Sequence, residues 1–462
     1  MYHDLHRKIT KAVCFGFFVL LQFYTRAQSP TASPYSRFGI GEIEKKGFGQ
    51  ITAMGGSYIA LVNDTSSPLY INTGNPASYT SLKSTVFEVG AQNTYSTFYS
   101  PGQNVNKNNT TLNYISLGFP IKHRGGGAFG LLPFSNVGYK VTHQNEVPTI
   151  GTVTEQYEGS GGLNQLFLGL AVRPFYHPHK KGFLRKAVSN LSMGANGYYV
   201  FGNFNNTGRL IYPDGLGIYN TKRSKDTQVN DTYASAGMQM HFDIDSLGKR
   251  DLQDNVRITF GYTVSLPANM HASATTVGTT FIYGTFQREY TRDTMFIDNG
   301  ISGRIKLPLM HGVGLAIKKG DRFTLLADAE YQQWSSYRFY NEVNTFKNSM
   351  RYSIGAQFVP SRATISTSYF KRMHYRLGAR YSDGFLEVKN KRINDYAVTA
   401  GFGLPVGRYK FIGKERIISF VNLSFEYGQA GTLQNNLIQQ KYVRAVVGFT
   451  FNDRWFIKTK YD

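Results

Sequence analysis

The sequence predicts an all-β protein: a transmembrane antiparallel β-barrel of about 14 strands, with 12 to 16 allowed, and an N-terminal plug of short helices and turns in its lumen. Three observations carry that prediction. The chain opens on an export signal, a segment rich in small residues follows from Ser36 to Tyr79, and long alternating runs continue after Leu82.

The signal comes first. Arg7, Lys8 and Lys11 precede an apolar run from Ala12 to Phe23, and Thr25-Arg26-Ala27 offers small residues at the two positions a signal peptidase reads. The run is too short for a membrane span, so residues 1–27 read as a cleaved signal peptide and Gln28 as the mature start. Lipidation at Cys14 fails, because no lipobox precedes it and it lies deep in the apolar run. Cys14 is the only cysteine, so disulfides play no part in the mature chain. Removing residues 1–27 takes four basic residues and one acidic one from a chain of net +22, leaving +19. Such an excess favours anionic surfaces: nucleic acid, acidic polymer or the phosphate-rich outer face of a Gram-negative membrane. The charge is spread through expected turns and loops such as Lys222-Arg223-Ser224-Lys225, which argues against a nucleic-acid groove.

The second segment has little alternation and many small residues, among them Gly39, Gly41, Gly47, Gly49, Gly55 and Gly56, and it closes on Asn75-Pro76-Ala77. A compact non-strand segment ahead of a long series of strands predicts a plug over residues 28–81 and a barrel over 82–462; the plainer reading is a loose linker. Glu42, Glu44, Lys45 and Lys46 suit a polar lumen and not lipid.

The alternation that follows is regular. Phe87, Val89, Ala91 and Tyr95 oppose Glu88, Gly90, Gln92 and Thr94. Val256, Ile258, Phe260, Tyr262, Val264 and Leu266 oppose Arg257, Thr259, Gly261, Thr263 and Ser265. Comparable runs cover Ile115–Phe119, Met350–Phe358, Tyr396–Leu404 and Val443–Phe451. Several runs have the length a tilted strand needs to cross a bilayer, and their second face is Gly, Ser, Thr and Arg rather than the charged exterior of a soluble sandwich. No fixed repeat supports a propeller. Short spacers at Lys122–Gly125, Lys319–Asp321 and Asn452–Asp453 read as tight turns. Polar stretches at Gly102–Asn109, Asn205–Asp231, His271–Gly303 and Tyr337–Asn348 read as long loops on the other side.

Catalytic chemistry finds little support. Gly125–Gly130 forms a G-x-G-x-x-G, but it leads into Leu131-Leu132-Pro133-Phe134, not into a helix that could cradle phosphate. His177-Pro178-His179 has no third ligand at useful spacing. No cofactor and no enzyme activity are expected. Pro133 stands out, because it removes a ladder donor inside the run Leu131 to Val141, and Gly125 to Gly127 and Gly138 weaken the same strand on both sides. It predicts a bulge or a gap in the wall.

The segment Ala53-Met54-Gly55-Gly56-Ser57-Tyr58-Ile59-Ala60, the following Asn63-Asp64 and the signature Asn75-Pro76-Ala77 resemble the N-terminal hatch of the FadL family of outer-membrane transporters, which includes the TodX-type hydrocarbon channels. Leu132-Pro133-Phe134 falls where that family has its kinked, laterally open third strand. Ser33–Gly39 and Asn452–Lys458 are similar to FadL-like barrels of Bacteroidetes-type bacteria. The strict likeness covers about fifty hatch residues, and no ligand-binding residue of the family can be placed by motif. The resemblance implies an outer-membrane channel for passive uptake of a hydrophobic small molecule. Its plug and gate would use Gly55, Gly56, Asn63, Asp64, Asn75, Pro76 and Ala77, with a lateral opening at Gly130, Leu132, Pro133 and Phe134. The alternative is a FadL-like accessory or shuttle barrel serving a secretion or surface-assembly system. Expected partners are the hydrophobic ligand, outer-membrane lipid and lipopolysaccharide, and a secretion-machinery partner, with no nucleic acid.

Overall fold

The computed structural model describes residues 33–63, 70–122, 124–177, 183–244, 256–320, 322–340, 342–343, 346–361, 368–412 and 415–453. The expected signal peptide therefore lies outside the described residues, as do Asp64, Pro178, His179 and the end of the chain from Arg454.

Alternation builds the wall. The strands are β1 (Thr85–Ser100), β2 (Gln103–Ile121), β3 (Gly125–Val147), β4 (Gly151–Val172), β5 (Ser192–Ile211), β6 (Asn220–Ile244), β7 (Val256–Ser265) and β8 (Ala268–Tyr283). They continue as β9 (Glu289–Leu307), β10 (Met310–Lys319), β11 (Phe323–Gln332), β12 (Ser349–Phe358), β13 (His374–Ser382), β14 (Asp395–Ile412), β15 (Glu415–Gly431) and β16 (Gln439–Asp453). Every neighbouring pair is antiparallel, and β1 closes on β16 from Thr85↔Asp453 to Tyr99↔Gln439. β7 and β8 are two lengths of one stave, interrupted at Leu266-Pro267. β9 and β10 are two lengths of the next, interrupted at Pro308-Leu309. The result is a closed 14-stave barrel.

Its faces follow the alternation. In β7, Phe260 and Tyr262 are exposed while Thr259 and Thr263 are buried towards the lumen. The outward row makes an apolar belt, with Ile354, Leu377 and Val398 more than half exposed.

Stave height divides the barrel. The staves β11, β12 and β13 have 10, 10 and 9 residues, the length that crosses a bilayer at a tilt. On the opposite side β3, β4, β5 and β6 have 23, 22, 20 and 25. They continue with β8 and β9 into a six-stranded sheet that overhangs one end of the barrel, and the overhang marks the extracellular side. The long stretches expected as loops, Asn205–Asp231 and His271–Gly303, are mostly strands of this sheet, and Gly102–Asn109 begins β2. Above the lipid nothing enforces a one-faced apolar pattern, so polar strands there lack the periodicity that marks the belt. Asn452–Asp453, expected as a turn, ends β16.

The tall wall bends where it leaves the belt. The β3–β4 register shifts between Pro133 and Ser135. Gly161 and Gly202, with φ of +107° and +141°, lie on the neighbouring strands at the same level, where a side chain would be strained. Pro267 and Pro308 interrupt the last two staves of that line. The base of the overhanging sheet closes over the lumen. Phe134, Leu163, Phe204, Val229, Met270 and Ile305 form one buried apolar cluster with Trp334, Tyr337, Phe346 and Leu386 from the low wall's connections. Ile40 of the N-terminal segment completes it.

Candidate functional site

Below that mouth the N-terminal segment descends through the barrel. Tyr35 is anchored at the extracellular end, its hydroxyl donating to the Ile438 carbonyl at 2.7 Å. The Gly138 N–H donates to the Ser36 hydroxyl at 3.1 Å. The short strand Glu42–Ile43 then pairs with Asn136 and Ser135 of β3, and the Glu44 N–H donates to the Phe134 carbonyl at 3.0 Å. One helical turn at Gly49–Thr52 and a 3-10 helix at Pro76–Ser81 follow, before the chain enters β1.

The residues expected to form the gate hold this path to the wall. Gly55 and Gly56 both have positive φ. The Gly55 N–H donates to the Thr399 hydroxyl at 2.9 Å, and Arg351 donates to the Gly56 carbonyl at 3.0 Å. A Cβ on Gly55 would stand 2.6 Å from the carbonyl oxygens of Ile354 and Ala379, so only glycine lets the segment lie against the strands. Asn63 exchanges two bonds with the Tyr70 backbone, at 2.7 and 3.1 Å. Asn75 caps the 3-10 helix through the Ala77 N–H, and its amide donates to the Ile59 carbonyl at 2.7 Å. Pro76 is the first residue of that helix, where its missing N–H costs nothing. The wall opposite is glycine too: a Cβ on Gly237 would meet the Asn75 side chain, and one on Gly378 the Gly55 backbone. The glycines of the polar strand face thus make room for the segment.

Charged lumen residues that the sequence did not single out as a site bind it. Asp328 of β11 accepts from the Tyr58 and Ile59 N–H groups at 2.6 and 2.9 Å. Glu88 of β1 accepts from Gln50 at 2.9 Å and from the Ile71 N–H at 2.8 Å. Arg351 also pairs with Glu330. Lys45 reaches Glu426 at 3.1 Å and Asp395 at 3.6 Å, and both carboxylates are shared with Arg380. Burial, and then the Arg380 and Arg444 guanidinium groups, push the Lys45 ammonium down to about 8, against the two carboxylates that favour its charge. The signal for these partners was present as isolated charges on the polar strand face, with nothing to say which would meet the segment.

The third strand carries the other expected feature. The β2–β3 ladder runs only from Ile121↔Gly125 to Ile115↔Leu131. Above it, among the described residues, the edge of β3 is covered by Glu42–Ile43 instead of β2. Gly130 lies in the last paired stretch opposite Ser116. Leu132 and Pro133 line a cavity with Glu44, Lys45, Phe48 and Tyr233. Phe134 does not face this cavity wall; it is buried in the mouth cluster, 5.8 Å from the Tyr233 ring. His177 lies in the β4–β5 connection, and no metal-ligand group occurs among the described residues.

A barrel with an internal N-terminal segment and an interrupted third strand has relatives among known proteins. A family model described as BamG matches residues 9–462. The chain belongs to the BamG family. Among solved structures it is similar to the P. putida toluene transporter TodX, with a TM-score of 0.52 and 14% identity, covering 89% of this chain and 99% of that one. It is also similar to the Ralstonia pickettii toluene transporter TbuX, with a TM-score of 0.50 and 12% identity, covering 88% and 98%. No curated protein matches significantly. At these identities the solved structures establish the fold: this BamG-family chain is a FadL-like barrel of the outer-membrane type.

Proposed function

We propose that this chain is an accessory barrel of the outer membrane, one that serves a protein assembly there and does not conduct solutes. The observation that carries this reading is the closed mouth. Tall wall, low wall and N-terminal segment share one buried apolar cluster around Phe134, Phe204, Trp334 and Phe346. Opening it would expose several of these side chains, at about 1.5–3 kcal/mol each. The segment 33–81 acts beneath it as a plug, its polar anchors matching the charged lumen. The cavity beside Pro133 is lined by Glu44, Lys45 and Lys46, poor company for a hydrophobic solute.

The test has two arms. Native mass spectrometry of the chain extracted in mild detergent should find it in a stoichiometric complex with another protein. Vesicles reconstituted with the pure chain should take up a hydrophobic fluorescent probe no faster than empty vesicles. Protein-dependent uptake together with a solitary chain would overturn the proposal.

A second reading is favoured by one observation, the β2–β3 ladder that stops at Leu131. In that reading a hydrophobic molecule leaves sideways into lipid past Leu132 and Pro133, avoiding rehydration at about 25 cal/mol per Å² of apolar surface. Glu42–Ile43 and the Gly55, Asn63 and Asn75 contacts would then act as the gate. Cross-linking Ile43 to Ser135 through engineered cysteines should abolish probe uptake if this reading holds.

A further inference from the structure

The chain's positive charge is unevenly divided between the two ends of the barrel. The overhanging extracellular sheet and its turns, residues 135–162, 202–234 and 268–307, carry nine basic and nine acidic residues. The periplasmic end is different. Lys122 and Arg124 are exposed in the β2–β3 turn, and Lys319 and Arg322 in the β10–β11 turn. Lys371 and Arg372 close the helical turn Tyr369–Arg372 that precedes β13. The acidic residues whose side chains are described at this end are Asp453 and Asp243, and Asp243 is paired with Arg257 at 2.6 Å.

Exposed rings stand beside these cations. Phe370 is 71% exposed, and Tyr369 lies under the Arg372 guanidinium at 5.6 Å. Phe323 and Phe358 face each other across the ends of β11 and β12, both exposed on the lipid side.

We propose that the periplasmic rim is a binding surface for anionic phospholipid headgroups of the inner leaflet. Depth is the first argument. The turns after β10 and β12 end strands of 9 or 10 residues, the bilayer's own span, so their cations lie at headgroup level and long side chains reach phosphate. Pairing is the second: aromatic rings with Lys and Arg make the signature of a membrane interface, rings in the acyl boundary and cations on phosphate. Distribution is the third. Four of the cations form one patch on the rim, because the turns after β10 and β12 adjoin, the Val359 N–H donating to the Arg322 carbonyl at 2.8 Å, and Lys122 and Arg124 lie apart from them after β2. The excess that the composition assigned to an anionic surface is thus placed, among the described residues, at the end facing the inner leaflet.

The test uses the full mature chain in detergent, mixed with phosphatidylglycerol or phosphatidylethanolamine of matched acyl chains and read by native mass spectrometry. Phosphatidylglycerol should be retained at least about tenfold better, each cation near the surface contributing to the difference. The variant K319Q/R322Q/K371Q/R372Q, verified as folded by its heat-modifiable gel shift, should lose that preference, and F370S should lose part of it. Raising salt in the wild type should do the same without any variant. Equal retention of the two lipids, or a preference insensitive to both salt and the variant, overturns the proposal. So does tight binding of polyglutamate that phosphatidylglycerol cannot displace, which would assign the rim to an acidic protein.

Discussion

The low wall and the tall wall are made by one rule applied in two solvents. In β11–β13 each stave has 9 or 10 residues and one lipid-facing apolar row, with Ile354 and Leu377 exposed to the bilayer. In β3–β6 the same ladder continues for 20 to 25 residues, and its upper part alternates no longer between grease and polarity. The bilayer sets the strand pattern only where it touches the strand. Where the tall wall leaves it, a bulge at Pro133, left-handed glycines at 161 and 202, and breaks at Pro267 and Pro308 turn the sheet over the lumen. The two walls then meet again through Trp334 and its aromatic neighbours.

The largest expected effect comes from breaking that meeting point. Trp334 is 2% exposed and stacks on Phe385 with ring centres 4.2 Å apart. Trp334→Ala should cost about 3–5 kcal/mol, read as a fall in the thermal midpoint and faster proteolysis of the tall wall. The membrane rule itself gives the next effect. Ile354→Arg, at the middle of β12, should cost about 2–4 kcal/mol of folding stability in lipid. Ile297→Arg, equally exposed but on β9 above the bilayer, should stay within about 0.5 kcal/mol. Equal losses would mean that the tall wall is embedded too.

Glycine windows come third. Gly378→Ala would press a Cβ to 2.2 Å from the Gly55 nitrogen and should cost about 1–3 kcal/mol, whereas Gly197→Ala faces open space and should not exceed the propensity change. Chemical labelling of a cysteine placed at Ser57 should rise in Gly378→Ala alone.

The smallest effect is expected at Lys45. Glu426 keeps Arg380 and Arg444 when this amine is removed, so Lys45→Met should change stability by no more than about 1 kcal/mol. Folding lowers the Lys45 pKa from its ordinary 10.5 to about 8, so the folded state disfavours its charge. Its contribution should therefore improve as pH rises from about 8 towards 10.5, and the Met variant should lack that rise. A stability that falls through this window only in the wild type would reverse the assignment.

The sequence made the belt legible because lipid writes a period of two into it, as in Val256–Leu266. It could not distinguish loops from strands in Asn205–Asp231 or His271–Gly303, where water bathes the sheet. The N-terminal segment was legible as small residues, and Asn75-Pro76-Ala77 as a capped turn, since both are local. Its anchors were not: Glu88, Asp328, Arg351 and Glu426 are remote in sequence and read as ordinary lumen polarity until the barrel brings them round the segment. Pro133 lay between. Its lost donor predicted an irregular strand, but the cover supplied by Glu42–Ile43 depends on a contact across some ninety residues.

The central claim is that the lumen is closed from above by the shared apolar cluster and from within by the segment 33–81. Planar-bilayer recording of the full mature chain tests it most directly. The wild type should show no sustained conductance steps at neutral pH, and steps should appear once residues 37–79 are deleted in a Trp334→Ala background, with the barrel still folded. Stable channels from the unmodified chain would contradict the account.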